Sequence, residues 1–359
     1  MKRWTGFFLA AGIATGANAQ SSITLYGTVD NGVNYVSNVG GARKYFTSAG
    51  IGQPDRLGLR GEEYLGDGMR AIFQLENGFN TTTGSLINSG VLWNREAYVG
   101  LASSTYGVLT LGHQTDFLQD FALRYSNGFF QHNLYAYHPG NLDNLANSSQ
   151  VDNSVKYITN DYRGFMAGAM YGFSGGATSL GRTLGGFARY QNGPLSVAAM
   201  YVSINGRTFD FSSRMGFNSL FGQNGLTSTN VFRSEAVNNT AIGASYRFSQ
   251  QWNVHALYTR SEVKAAGGSG NMFNYDTGVE YQNTVANALT LGYSYSAFNH
   301  VHWNQLEAGD MYSLSKATQL QAQVTYQQAS GNGVADIYTV GPASGHEQLL
   351  VRVGMYHLF

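Results

Sequence analysis

From Ser22 onward, short runs alternate apolar with polar positions at a period of two. Leu57 and Leu59 stand against Arg56 and Arg60; Ala71, Phe73 and Leu75 stand against Arg70, Gln74 and Glu76. A period of two belongs to strands whose two faces meet different surroundings. The pattern predicts strands over 22–36, 55–64, 69–79, 93–102, 107–113, 151–159, 165–173 and 184–191. It predicts further strands over 195–204, 238–248, 251–263, 274–283, 287–298, 302–313, 317–328 and 346–359. Sixteen is an even number, as expected of a bacterial outer-membrane barrel.

The connectors fall into two kinds. Leu65-Gly66-Asp67-Gly68, Ser103 to Tyr106, Gln191 to Pro194, Ser249-Gln250 and Ser315-Lys316 are short, whereas 38–54, 114–150, 205–237 and 329–345 are long and polar. Short turns on one rim with long loops on the other mark a transmembrane β-barrel, and a soluble β-sandwich gives no reason for them. After Gln20 no apolar run approaches the ~20 residues that a membrane-spanning helix needs. A membrane position therefore requires a closed barrel, in which every backbone group is paired.

Composition narrows the picture. Charged residues make up 12% of the 359 residues, with 21 basic against 21 acidic, so the basic excess of a nucleic-acid binder is missing. With 24 Tyr, 21 Phe, 46 Gly and only 4 Pro, the chain suits many strands joined by tight turns. Cysteine is absent, which removes disulfides and thiolate metal sites. Met1-Lys2-Arg3, the apolar stretch Phe7 to Ala17 and the small residues Ala17-Asn18-Ala19 read as a signal peptide over 1–19, cut before Gln20. Residues 20–359 then form one barrel domain.

The last strand sharpens the expectation. Val351, Val353, Met355 and Phe359 alternate with Arg352, Gly354 and Tyr356. The first set should face lipid or a neighbouring subunit, with Phe359 in an interfacial aromatic girdle. Arg352 and Tyr356 should face a watery lumen. Pairing of this strand with Ser22 to Val36 would leave the sheet without an edge.

S-I-T-L-Y-G-T-V-D (22–30), D-R-L-G-L-R-G-E-E-Y-L-G-D-G-M-R-A-I-F-Q-L-E (55–76), N-R-E-A-Y-V-G-L (94–101), Y-G-V-L-T-L-G-H-Q (106–114), N-S-V-K-Y (153–157) and the terminal H-L-F resemble the Gram-negative general porins of the beta-proteobacterial type. The resemblance covers essentially the whole mature chain. It implies a sixteen-stranded antiparallel β-barrel in the bacterial outer membrane that assembles as a homotrimer and passes small hydrophilic solutes. It further implies a third loop folded into the pore, contact with outer-membrane lipid and lipopolysaccharide, and delivery by barrel-assembly machinery through Phe359. No cofactor, metal or nucleic-acid partner is implied.

The resemblance also implies a basic ladder on the wall at Arg56, Arg60 and Arg95. For Arg95, alternation around Ala97, Val99 and Leu101 points outward, whereas the family carries an inward arginine; the resemblance is followed. Arg70 is lumenal by pattern, and Lys156 and Arg352 complete the wall candidates. His113 stands where relatives often carry Arg, exchanging a fixed charge for a titratable one. Asp116, Asp120 and Asp143 on the loop Gln114 to Gln150 are expected as acidic partners across the pore, with Asp30, Glu62 and Glu76 on strands. The loop departs from the P-E-F-G-G text of enterobacterial relatives.

Two motifs carry other chemistry. Gly172-Phe173-Ser174-Gly175-Gly176 matches G-x-S-x-G, but a nucleophile elbow needs a strand-to-helix turn and Gly-rich text follows. His300 and His302 share a strand parity without a third ligand nearby. The expectation is a channel and not an enzyme. The alternatives are a non-conducting structural or adhesive barrel, with 205–237 as its binding surface, and an outer-membrane barrel hydrolase.

Overall fold

The computed structural model describes residues 21–175 and 181–359; the expected signal peptide over 1–19 lies outside them. The strands are β1 (Ser22–Val39), β2 (Ala42–Ala49 with Arg56–Gly66), β3 (Met69–Gly78), β4 (Glu96–Ser103), β5 (Gly107–Gln114) and β6 (Val151–Ile158). Next come β7 (Phe165–Gly172), β8 (Thr183–Asn192), β9 (Leu195–Asn205), β10 (Ala236–Arg247) and β11 (Trp252–Ala265). The last are β12 (Gly268–Gln282), β13 (Asn287–Phe298), β14 (Val301–Ser313), β15 (Thr318–Ser330) and β16 (Glu347–Leu358). The two segments of β2 pair end to end with one side of β1, so the seventeen ladder segments make sixteen barrel strands.

All neighbours are antiparallel, and β16 closes the sheet on β1 from Thr28↔Leu358 to Val36↔Leu350. Phe359 extends this seam: Gly27 N–H donates to its carbonyl at 2.9 Å, and its own N–H donates to Gly27 O at 3.1 Å. A Cβ at Gly27 would collide with the Phe359 ring, so glycine is what lets the aromatic end lie flat on β1. Along β16, Leu350, Arg352, Gly354 and Tyr356 are buried inward, while Val353 and Met355 are exposed on the outer face. Tyr106, Tyr162, Phe248, Trp252, Tyr312 and Phe359 are exposed beside the short turns, as an aromatic girdle requires.

The loop rim departs from the expectation at one long loop and adds short turns of its own. The expected loop 38–54 contains only the two-residue turn Gly40-Gly41, the strand segment Ala42–Ala49 and a break at 50–55. Residues 266–267 and Asn299-His300 are also tight turns. Asn299 and His300 adopt φ of 49° and 67°, the left-handed pair that a tight hairpin demands. His300 is a turn residue, and His302 Nδ1 lies 2.7 Å from the Tyr295 hydroxyl. Strands β11 and β12, of 14 and 15 residues, outrun the ~9–11 needed to cross a bilayer and rise above it as a hairpin.

The apolar core lies in the lumen. The third loop, 115–150, sets Phe117, Leu118, Phe121, Tyr125 and Leu145 against Met170, Phe187, Met200, Val202 and Leu257 of the inner wall. Phe121 and Phe187 stack with centroids 3.8 Å apart. Each such side chain contributes about 1.5–3 kcal/mol on burial. The long connector 206–235 folds inward as well, with Phe211 packed on Phe232 and Phe298. Residues 331–346 close the group, their Val334 O accepting from Trp303 Nε1 at 2.9 Å. Three inward loops pack into the lumen; they leave one space beside β1–β6 and another of about 590 Å³ between the third loop, the connector 206–235 and the ends of β6–β9.

Candidate functional site

The third loop holds its shape through its own polar side chains. Asp116 caps the short helix α1 (Phe117–Asp120), accepting from Leu118 N at 2.9 Å and Gln119 N at 3.1 Å. Asn144 Nδ2 donates to its other oxygen at 3.1 Å, and burial pushes the Asp116 pKa up. Ser126 caps α2 (Asn127–Phe130), which seats the loop's middle on β12 and β13. Such caps satisfy helix N–H groups that would otherwise be buried without a partner.

A buried clamp ties the loop to the wall. His138 lies with Nδ1 2.6 Å from Asp143 Oδ2 and Nε2 2.7 Å from Asp276 Oδ1 of β12, all three side chains buried. Burial opposes charge on the ring, but Asp276 and Asp143 outweigh it and hold the His138 pKa well above the ordinary value. Burial likewise acts upward on Asp143, yet the imidazolium and Thr259 bring its pKa below the ordinary value. Farther along, Gln323 Nε2 donates to the carbonyls of Gln131 at 3.0 Å and His132 at 2.7 Å. The Tyr125 hydroxyl meets Ser196 Oγ at 2.7 Å.

Between this loop and the β1–β6 wall lies a space of about 660 Å³. Five bases line it, Arg56, Arg60, Arg95, Arg124 and Lys156, against three acids, Glu76, Glu96 and Asp120. Glu76 sits between two guanidiniums, 2.5 Å from Arg95 Nε and 3.9 Å from Arg56 Nε. The Tyr26 hydroxyl donates to its second oxygen at 2.8 Å, and Arg60 lies over the Tyr26 ring at 5.5 Å. Lys156 Nζ donates to Asp120 Oδ2 and to Thr115 O, each at 2.9 Å. Charged groups of both signs thus face one water-accessible gap, which suits passage of polar solutes.

The expected residues divide among several places. Arg56, Arg60, Arg95, Lys156 and Asp120 are brought together here. Arg95 points inward because it precedes the β4 ladder, where the chain is still leaving the second loop, 79–95, and strand parity does not yet apply. Arg70 pairs with Glu62 at 2.7 Å, one residue from the 67–68 turn, away from the gap.

Four placements correct the expected pore lining. His113 shares its face with outward Leu109 and Leu111, and its Nδ1 lies 2.5 Å from exposed Asp152. Arg352 is wholly buried, bound to Asp30 at 2.6 Å and to Gln321 Oε1 at 3.1 Å. It faces the interior but is sealed beneath 50–55, whose Ile51 and Gly52 N–H groups donate to Asp30. Asp116 is consumed as a helix cap and Asp143 by the His138 clamp, so neither reaches the gap. Glu96, Arg124, Tyr26 and Tyr98 line it without having been singled out beforehand. Strand parity with Tyr98 signals Glu96; nothing periodic signals Arg124.

The family model of Gram-negative porins matches residues 7–332. The chain belongs to the Gram-negative porin family. Outer membrane porin protein 32 of Delftia acidovorans is 29% identical over 383 residues, 98% of each chain. An outer membrane porin of Bordetella pertussis is 37% identical over 229 residues; the match spans 55% of this chain and 58% of that relative's length. Among solved structures, an anion-selective porin from Comamonas acidovorans superposes with a TM-score of 0.79 at 24% identity, covering 95% of this chain and 100% of that one. An outer-membrane protein of Vibrio cholerae in a trimer form gives 0.68 at 14% identity, covering 94% and 99%. This porin is an outer-membrane barrel of the kind that carries solutes by passive diffusion, and the relatives are channels rather than enzymes.

Proposed function

We propose that this porin is a diffusion channel with a modest preference for anions, set where the third loop faces the β1–β6 wall. The supporting observation is the lining of the gap, five bases against three acids. Arg56, Arg60 and Arg95 form its basic wall, and Lys156, Asp120 and Arg124 its opposite margin. Solutes cross in water down their gradient. The loop sets the size they must not exceed, and the fixed charges set the sign they favour. An excess of two charges, screened over ~8 Å at physiological salt, gives a mild selectivity that fades as salt rises.

The assembly in this reading is a homotrimer of the mature chain 20–359. Ile87 and Leu92 on the second loop are 59% and 58% exposed, and Ile23 and Leu25 stand out from β1. Such apolar side chains on a loop gain from a neighbouring subunit what water denies them. Single-channel recording with a graded series of neutral sugars in a planar bilayer tests the channel. Discrete ohmic steps and a sharp size limit are expected; a silent protein, folded and inserted, would overturn the reading.

A further inference from the structure

A second, smaller space of about 170 Å³ opens off the gap. It lies where two inward-folding segments meet, the break in β2 at 50–55 and the third loop, joined by Leu134 N–H donating to Ile51 O at 2.9 Å. Its boundary sets apolar Pro54, Leu134 and Ala146 beside polar Gln53, Asn133 and Asn147. Arg56, Arg95, Leu123 and Phe129 border both spaces and form the threshold between them. A volume of ~150 Å³ is enough for a benzene ring, so this niche has room for one.

Its charge is as specific as its size. Arg56 and Arg95 share the single carboxylate of Glu76, which leaves one formal positive charge at the threshold. Guanidinium groups are matched to carboxylates in shape and charge. His132, also on the boundary, is kept toward its neutral form by burial, so the cationic character is that of the arginines. A chamber with an apolar side behind a cationic threshold is complementary to a ring carrying one carboxylate.

We propose that this niche is a binding site for small aromatic monocarboxylates, the ring seated among Pro54, Leu134 and Ala146 and the carboxylate held by Arg56 and Arg95. It rests on reading the adjoining gap as the conducting path. Benzoate then lingers beside the pore and interrupts the chloride current, whereas acetate lacks the ring and benzyl alcohol lacks the charge.

The test is block of single-channel chloride current by benzoate, acetate and benzyl alcohol at neutral pH. Benzoate should half-block at a concentration at least about tenfold below acetate, with benzyl alcohol weaker than benzoate. Ala146→Leu, which adds bulk on the niche boundary away from the gap, should collapse the benzoate-to-acetate ratio toward one. Saturation-transfer NMR on the detergent-solubilised parent gives an independent reading: ring protons of benzoate should receive saturation, and those of benzyl alcohol much less. Equal block by benzoate and acetate, or equal saturation of benzoate and benzyl alcohol, would overturn the niche while a chloride current left the channel reading standing. Absence of any current would overturn the channel and the niche together.

Discussion

Replacing His138 with Gln probes how the third loop is held in the barrel. The ring stands between Asp143 and Asp276 at 2.6 and 2.7 Å, and none of the three side chains is more than 1% exposed. Glutamine removes the positive charge and leaves two buried carboxylates facing each other, with Arg207 the remaining cation acting on Asp143 and with His255 of β11 and Glu307 of β14 around Asn127. Breaking a buried pair by removing one partner costs about 3–5 kcal/mol. At about 1.4 kcal/mol per tenfold, the seated state of the loop loses roughly a hundredfold to a thousandfold or more in its equilibrium. The barrel ladder does not depend on this clamp, so His138→Gln should still insert and conduct, with frequent flicker as the loop leaves its seat.

The pH dependence has a definite sign. The His138 pKa is raised, so its contribution is complete below the ordinary ~6.5 and is lost as pH climbs through the raised value. The Asp143 pKa is lowered, so its contribution is present above the ordinary ~3.9 and is lost as pH falls through the lowered value. The parent should therefore be quiet near neutrality and flicker once pH passes the raised value. His138→Gln should flicker at neutral pH and lack the alkaline transition. The readout is the closing frequency of single channels across that range. A variant as quiet as the parent, with the same response to alkali, would refute the clamp.

Other outcomes follow from the same contacts. Arg352→Met leaves Asp30 buried without its cation and should cost about 3–5 kcal/mol, seen as a lower temperature for the heat-dependent gel shift of the folded barrel. Removing part of 121–140 should raise conductance and admit larger sugars; an unchanged size limit would place the restriction elsewhere. Protein from outer membranes should have the intact mass of residues 20–359, and unheated samples should migrate as a large species that boiling converts to one monomer.

Sixteen strands were legible because lipid on one face and loops or water on the other impose opposite demands at alternate residues. Where an outer face rises above the membrane that demand disappears, and Ala42–Ala49, exposed through much of its length, reads as loop although it is strand. Parity also placed Arg56 and Arg60 inward and carries information on His113, which shares the face of Leu109 and Leu111. Resemblance to arginine-bearing relatives points His113 toward the pore, against that parity. The loop acids were less legible because a 36-residue segment folded into a barrel must satisfy its own buried polar groups: Asp116 caps buried N–H groups and Asp143 holds the His138 ring. Arg124 lies on an irregular turn with no periodicity to read.

Selectivity is the central claim, and the zero-current potential across a potassium chloride gradient tests it most directly. For the parent the potential should carry the sign of chloride preference, modest at low salt and shrinking as salt rises. Arg56→Glu combined with Arg60→Glu converts two lining positive charges to negative, a swing of four that should reverse the sign. A parent that prefers potassium, or a double variant whose potential stays where the parent's was, would contradict the account.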